Sequence, residues 1–254
     1  MKERARTRLA SLFLLAVFFC LKSSAQFNSQ GGLPGQSLSG LSFPMTRLFG
    51  DIKAFSSLAE VKLLDSSGAE TMAVPAAFSM VDGKVRAEID LSRARSKEMS
   101  PEIAASIKQM GLDKMVSVIR PDKKMTLFIY PSLRAYSEVP MSKEDAANLE
   151  KKYTIETTKL GQETIDGHAC QKNKVTAAVE DGKKFEAVVW NASDLKSFPI
   201  RMQMTQEQTT VLMNFSDVHL TRPEVAQFEA PAGFTKYATV EQLTQQGLMR
   251  ALGK

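Results

Sequence analysis

Cysteine is nearly missing from this 254-residue chain: there are two, and Cys20 sits inside an N-terminal apolar run. The remaining thiol, Cys170, cannot close an intramolecular disulfide, so a stapled scaffold is excluded and the fold must rest on its core. Histidine is as scarce, at His168 and His219, and with Cys170 these form no zinc-like spacing; no metal is expected. G-x-S-x-G, a phosphate-cradling glycine loop and H-E-x-x-H are all lacking, and the scattered carboxylates single out no acid/base pair, so no cofactor and no enzyme activity are expected. No apolar run reaches the roughly 20 residues that a membrane-spanning helix needs.

An excess of one charge is also lacking once the N-terminus is set aside. Residues 1–25 have a basic start (Lys2, Arg4, Arg6, Arg8), an apolar run from Leu9 to Leu21 and the small-residue end Ser23-Ser24-Ala25. This is the layout of a cleaved secretory signal with its cut after Ala25, and it predicts a periplasmic protein. The segment carries five of the 33 Lys+Arg and one of the 28 Asp+Glu, which leaves 28 against 27. A mature chain so balanced has no concentrated basic patch, so nucleic acid is not an expected partner. Phe19 before Cys20 does not fit a lipidation signal, where a small residue precedes the cysteine.

Residues 26–45 are rich in Gly, Ser, Gln and Pro without periodic apolar positions, and such a composition buries too little surface to offset the entropy of ordering. The stretch reads as a flexible tether. Residues 46–254 then form one domain, with no internal break of composition and no repeat.

Within that domain, alternation of period two dominates. Met72, Val74, Ala76, Phe78 and Met80 share one face before Asp82-Gly83 turns the chain into Val85, Ala87 and Ile89, which predicts a hairpin. Val116–Arg120 and Met125–Tyr130 flank a second turn at Pro121–Lys124. Tyr153–Ile165, Cys170–Val179 and Lys184–Trp190, joined at Asp166-Gly167 and Asp181-Gly182, read as a three-strand meander. Ala54–Leu64, Ile200–Thr205 and Thr210–Leu220 complete about ten strands with short connections, hence an antiparallel sheet. Three amphipathic helices are predicted: one opened by Ser100-Pro101 and closed by Gly111, one opened by a capping box at Ser142 and Asp145 and extending through Ala146 and Leu149 to Tyr153, and a C-terminal one opened by Thr239 and Gln242.

Cys170 and His168 are two apart on a strand and so share a face, where an imidazole could generate a thiolate. A lone cysteine is more simply a small core hydrophobe, and His168 follows a hairpin turn where a polar residue is expected. Asn191-Ala-Ser193 and Asn214-Phe-Ser216 are formal glycosylation acceptors. Methionine is abundant, with several at matching strand parity (Met72 and Met80, Met202 and Met204). Its flexible thioether suits either an ordinary core or a surface that accepts apolar ligands of variable shape. In Met125-Thr-Leu-Phe-Ile-Tyr130 both faces are apolar, so both must be covered.

The C-terminal half carries a further pattern: Gly161, Ile165, Gly167 and Cys170, then Val189-Trp190 with Asp194-Leu195 and Pro199-Ile200-Arg201, then Phe215 and Val218, and finally Phe228-x-x-Pro231-x-Gly233-Phe234. Over about Tyr153 to Tyr237 the chain resembles exported domains related to the outer-membrane lipoprotein carriers of the Lol type, as an uncharacterised branch of that superfamily. The resemblance implies an α+β fold: a curved, incomplete antiparallel barrel whose concave apolar face is covered by helices and holds acyl chains or another lipid-like ligand. It transfers no catalytic residue. Trp190 is expected as a core anchor, Asp194 as the cap of a short turn over Ala192–Lys196, and Pro199 as its end.

Taken together, the chain reads as a binding or carrier protein that sequesters a lipid or acyl-chain ligand without converting it. The period-two rule picks Met72, Val74, Phe78, Met80, Leu127, Ile129, Met202 and Met204 as the expected lining. The helices near Ile103–Met110 and Ala146–Tyr153 would move aside to load it. Two alternatives remain open: an envelope interaction or sensor module binding a protein partner through the sheet's open edge or face, and a thiol enzyme built on Cys170 and His168.

Overall fold

The structure is a computed structural model that describes residues 46–96, 99–150, 153–179, 184–206 and 208–253. The expected leader, tether and Asp181-Gly182 turn lie outside the described residues.

The strands are β1 (Ala54–Leu64), β2 (Glu70–Val81), β3 (Lys84–Asp90), β4 (Arg95–Ser96), β5 (Lys114–Arg120), β6 (Met125–Tyr130), β7 (Ala135–Pro140), β8 (Tyr153–Ile165), β9 (His168–Val179), β10 (Lys184–Ala192), β11 (Phe198–Gln206), β12 (Thr209–His219) and β13 (Thr235–Tyr237). The helices are α1 (Pro101–Gln109), α2 (Lys143–Glu150) and α3 (Val240–Ala251). All 13 strands belong to one curved sheet of order β13-β7-β6-β5-β3-β2-β1-β12-β11-β10-β9-β8, with β4 attached to β2. The two ends, β13 and β8, do not meet, so the barrel is incomplete. Two antiparallel meanders, β1 to β7 and β8 to β12, are joined at a single seam where β1 pairs with β12. Only the β13–β7 pair is parallel among the described strands.

The expectation of about ten strands is thus corrected to thirteen. The missing ones are β4, β7 and β13: two are only two and three residues long, and β7 (Ala-Tyr-Ser-Glu-Val-Pro) has weak alternation and ends in proline.

Local chemistry explains the turns. Asp82 and Gly83 have φ of 49° and 78°, and Asp166 and Gly167 have 48° and 86°, the left-handed pairs of type I′ hairpins. A second device serves β5–β6 and β6–β7: a one-turn 3-10 segment opened by Pro121 or Pro131 and closed by a left-handed basic residue, Lys124 or Arg134. The β10–β11 turn uses Ser193–Leu195 with Lys196 in the same left-handed role. Here the expected cap fails, because Asp194 makes no capping bond and instead meets His168, while Pro199 lies within β11.

Each helix starts where its punctuation predicts. Ser100 Oγ accepts from the Ile103 amide, Ser142 Oγ from Asp145, and Thr239 Oγ1 from Gln242. The middle helix is shorter than expected: it stops at Glu150, and Tyr153 opens β8. α3 packs against β7, β13 and α1, and a Cβ on its Gly247 would lie 2.6 Å from the Met110 carbonyl oxygen, so the close approach requires glycine.

Cross-strand register defines two faces. Met80, Phe78 and Ala76 of β2 stand opposite Val85, Ala87 and Ile89 of β3, and opposite Phe55, Ser57 and Ala59 of β1. Continuing, Ala59 pairs with Phe215, Val61 with Met213, and Met213 with Met202, which faces Val189. The rings of Phe78 and Phe215, two strands apart, have centroids 5.7 Å from each other, and those of Phe55 and Phe198 lie at 5.0 Å. Second-neighbour strands are roughly 9.6 Å apart at their backbones, so side chains that converge like this mark the inside of the curve.

The outside of the β1–β7 half has its own cover. Phe228, fully buried, packs with Val81, Val116, Val118, Leu127 and Ile129. Residues 222–234 cross this face as a strap without regular strand pairing. Arg120 Nη1 donates to the Phe228 carbonyl at 3.0 Å, Arg86 Nη1 to Gln227 at 2.9 Å, and Arg222 pairs with Asp82. The two-faced apolarity of β6 is therefore met on the outside by this strap.

Candidate ligand-binding face

The concave face is built from alternate residues of β2, β1, β12, β11, β10 and β9, because the pleat sends every second side chain inward. Its centre is aromatic and thioether-rich: Phe78, Met80, Met202, Met204, Met213 and Phe215 belong to one buried cluster. Phe49, from the residues just before β1, inserts its ring among them, 4.6 Å from Phe55 and 5.4 Å from Phe198. Leu48 and Ile52 accompany it. The face is thus filled by its own side chains, with Met202 and Phe198 wholly buried.

Of the eight expected lining residues, six share this face. Phe78, Met80, Met202 and Met204 meet in the cluster, and Val74 and Met72 continue the same row along β2, opposite Val61 and Leu63 of β1. Leu127 and Ile129 do not join them. Phe128, between them, stands opposite Ser117, which faces Ala87 and so Phe78; its two neighbours therefore point outward, under Phe228. One concavity cannot take all eight. Reasoning from sequence missed Leu48 and Phe49, although two apolar residues three and four positions after a Gly/Ser/Pro tract were a usable signal.

The buried polar residues of the concave face include Ser57, Ser117, Thr126, Ser137 and Asn173, the last donating to Asn191 Oδ1 at 2.9 Å. Ser57 and Ser137 are buried there, and neither hydroxyl has a partner. Tyr130, whose phenol is pushed up to about 12 by burial, donates to Met115 Sδ at 3.6 Å.

The proposed Cys170–His168 pair is not assembled for chemistry. Cys170 is buried with Ile165, Trp190, Ala192 and Ile200 on the outer side of the second half, and burial pushes its thiol up. Its Sγ donates to the backbone carbonyl of His168 at 3.4 Å, while the imidazole Nδ1 lies 2.7 Å from Asp194 Oδ2. A thiolate is disfavoured there, and the His168 imidazole is engaged with Asp194. Trp190 is buried as expected of an anchor, under the Lys172 ammonium at 4.9 Å and the Arg201 guanidinium at 5.7 Å, with its Nε1 donating to Glu163 at 2.8 Å. Both glycosylation asparagines are engaged, Asn191 donating to the Ser197 carbonyl and Asn214 accepting from Arg201. Among the described residues no group of three or more His, Cys, Asp or Glu is placed to hold a metal, and no helix is long and apolar enough to cross a membrane.

Residues 76–197 match DUF4412, a domain of unknown function. The matched segment runs from within β2 to the β10–β11 turn and leaves out β1, β12 and the strap. No curated protein matches the chain. Solved structures to which it is similar include the lipoprotein LppX of Mycobacterium tuberculosis (10% identity, 74% of this chain and 96% of that one, TM-score 0.39). LprF of Mycobacterium bovis is another (16%, 76% and 99%, 0.35). A LolA superfamily protein of Nitrosomonas europaea is a third (10%, 78% and 98%, 0.33).

Proposed function

We propose that this chain is an exported carrier that sequesters an apolar ligand, a lipid or the acyl chains of a lipoprotein, on the concave face of its sheet without converting it. The observation that carries this reading is the gathering of Met72, Val74, Phe78, Met80, Met202 and Met204 on the inner face of a curved sheet whose ends stay apart. Thioethers and aromatic rings re-pack around guests of different shape at low cost, which a dry core of branched aliphatics does less readily. The Leu48–Ile52 segment and α1 would shift on loading, and the ligand would take the place of Phe49. Residues 1–25 would direct export to the periplasm, residues 26–45 would tether, and residues 46–254 would carry.

The test is organic extraction and mass spectrometry of the mature protein purified from its native envelope, beside Met80→Gln and Met204→Gln variants shown to be folded by near-ultraviolet circular dichroism. Stoichiometric lipid, reduced in both variants, is the expected result. Lipid retained undiminished by both would remove the concave face from the reading.

One observation favours a second reading. β8 ends the sheet, and its residues from Thr154 to Thr164 are all exposed, Ile155 and Leu160 included. A long edge of this kind can accept an extended segment of another protein. Protein purified without lipid, yet retaining an envelope protein that a β8 variant loses, would favour an interaction module.

A further inference from the structure

Among the described residues only two buried side-chain nitrogen or oxygen atoms lack a hydrogen-bond partner, the hydroxyls of Ser57 and Ser137. They come from β1 and β7, 80 positions apart in sequence, yet a single transverse row connects them. Ser57 faces Phe78, Phe78 faces Ala87, Ala87 faces Ser117, Ser117 faces Phe128, and Phe128 faces Ser137. The row crosses six strands on the concave face and holds a third buried hydroxyl, Ser117. On β1, β2 and β3 the face is apolar on both sides of the row, with Phe55, Met80 and Val85 to one side and Ala59, Ala76 and Ile89 to the other, while on β6 the row is flanked by Thr126 and Tyr130.

A hydroxyl buried without a partner is unfavourable, and alanine would fit either position with less cost. Two such hydroxyls at the ends of one line, on the face that holds the carrier's core, point to an acceptor that arrives with the guest. We infer that this row is a hydrogen-bond subsite for ester or amide carbonyls, and that the guest is an acylated molecule whose chains lie along the strands on either side while a carbonyl accepts a hydrogen bond from Ser57 or from Ser137. A plain hydrocarbon, or a chain linked by ether oxygens alone, would leave the hydroxyls poorly satisfied. At about 4.8 Å per strand the row measures about 24 Å of arc, so the two lone hydroxyls are separate donors and one bound molecule engages one of them. This inference rests on the carrier reading and adds to it a rule of selection.

The experiment uses the mature protein, incubated with vesicles of diester phosphatidylglycerol or of the diether counterpart with the same chain lengths. Lipid retained by the protein after the vesicles are removed is then quantified. The wild type should retain the diester about fivefold more than the diether, the ratio that one net hydrogen bond supports. Ser57→Ala and Ser137→Ala should each narrow that preference, and the double variant should abolish it while still taking up the diether and melting at a higher temperature than the wild type. Equal uptake of both lipids by the wild type, or an undiminished preference in the double variant, would overturn the inference while leaving the carrier reading standing. Uptake of neither lipid by any version would overturn the carrier reading, and the subsite with it.

Discussion

The two meanders that make up this sheet are covered differently. In the β1–β7 half, the inner face of β1–β3 carries the aromatic–methionine cluster, and the outer face of β2, β5 and β6 is closed by Phe228 and the strap that Arg86, Arg120 and Arg222 hold down. In the β8–β12 half, the inner face shares the same cluster, but the outer face is closed only over Cys170, Trp190 and Ile200, and the last strand is exposed along nearly its whole length. A sheet buried on both faces is a rigid wall, whereas one covered on a single face can bend or exchange partners. The first half thus reads as the frame and the second as the part that gives way.

The largest effect should come from stripping the frame. Phe228→Ala removes the ring that fills the outer cluster and should cost about 3–5 kcal/mol in denaturant unfolding; a change under 1 kcal/mol would mean that the strap is ornament and the halves are alike. Next is Arg120→Ala, which leaves the Phe228 carbonyl without its donor and should cost about 1–3 kcal/mol by the same measurement.

The acid limb sharpens the contrast further. Arg120 holds the carboxyls of Asp122 and Glu229 below their ordinary range, chiefly by side-chain hydrogen bonds. A carboxyl with a depressed folded pKa contributes stability at pH above its unfolded value, and that contribution is lost as pH falls through the folded one. From about pH 4.5, the ordinary glutamate value, downward, the melting temperature of the wild type should therefore fall more steeply than that of an Asp122→Asn, Glu229→Gln double variant. Parallel curves would show that the ion pairs contribute nothing to the frame. The smallest effect is local: backbone amides of β8 should exchange with solvent faster than those of β5 and β6, while global stability is unchanged. Equal protection at both places would erase the distinction between frame and edge.

How much of this could be read from the sequence depended on whether the signal was local. Asp82-Gly83 and Asp166-Gly167 announce their turns, and Ser100, Ser142 and Thr239 their helices, because a turn or a cap is decided by a few adjacent residues. Alternation in β2 and β11 also told which side chains travel together, and β1 and β12 happen to join those strands in phase. It failed in β6, where Leu127, Phe128, Ile129 and Tyr130 are all buried, so periodicity holds no information about which face is inside. β7 was missed although Pro131–Arg134 repeats the turn of Pro121–Lys124 residue type for residue type at its ends. The strap was illegible as cover, since Phe228 reaches its place through tertiary contacts alone.

The seam between β1 and β12 also sets the order in which the molecule can come into being. Residues 54–64 wait for residues 209–219, and until those arrive the first meander carries an unpaired edge and half of an unfinished core. Each meander can zip from its own tight turns, but the contact that unites them spans most of the chain and pays its loop-closure entropy last. An emerging chain therefore cannot close its concave face early: the wall is complete only after synthesis has delivered nearly the whole protein.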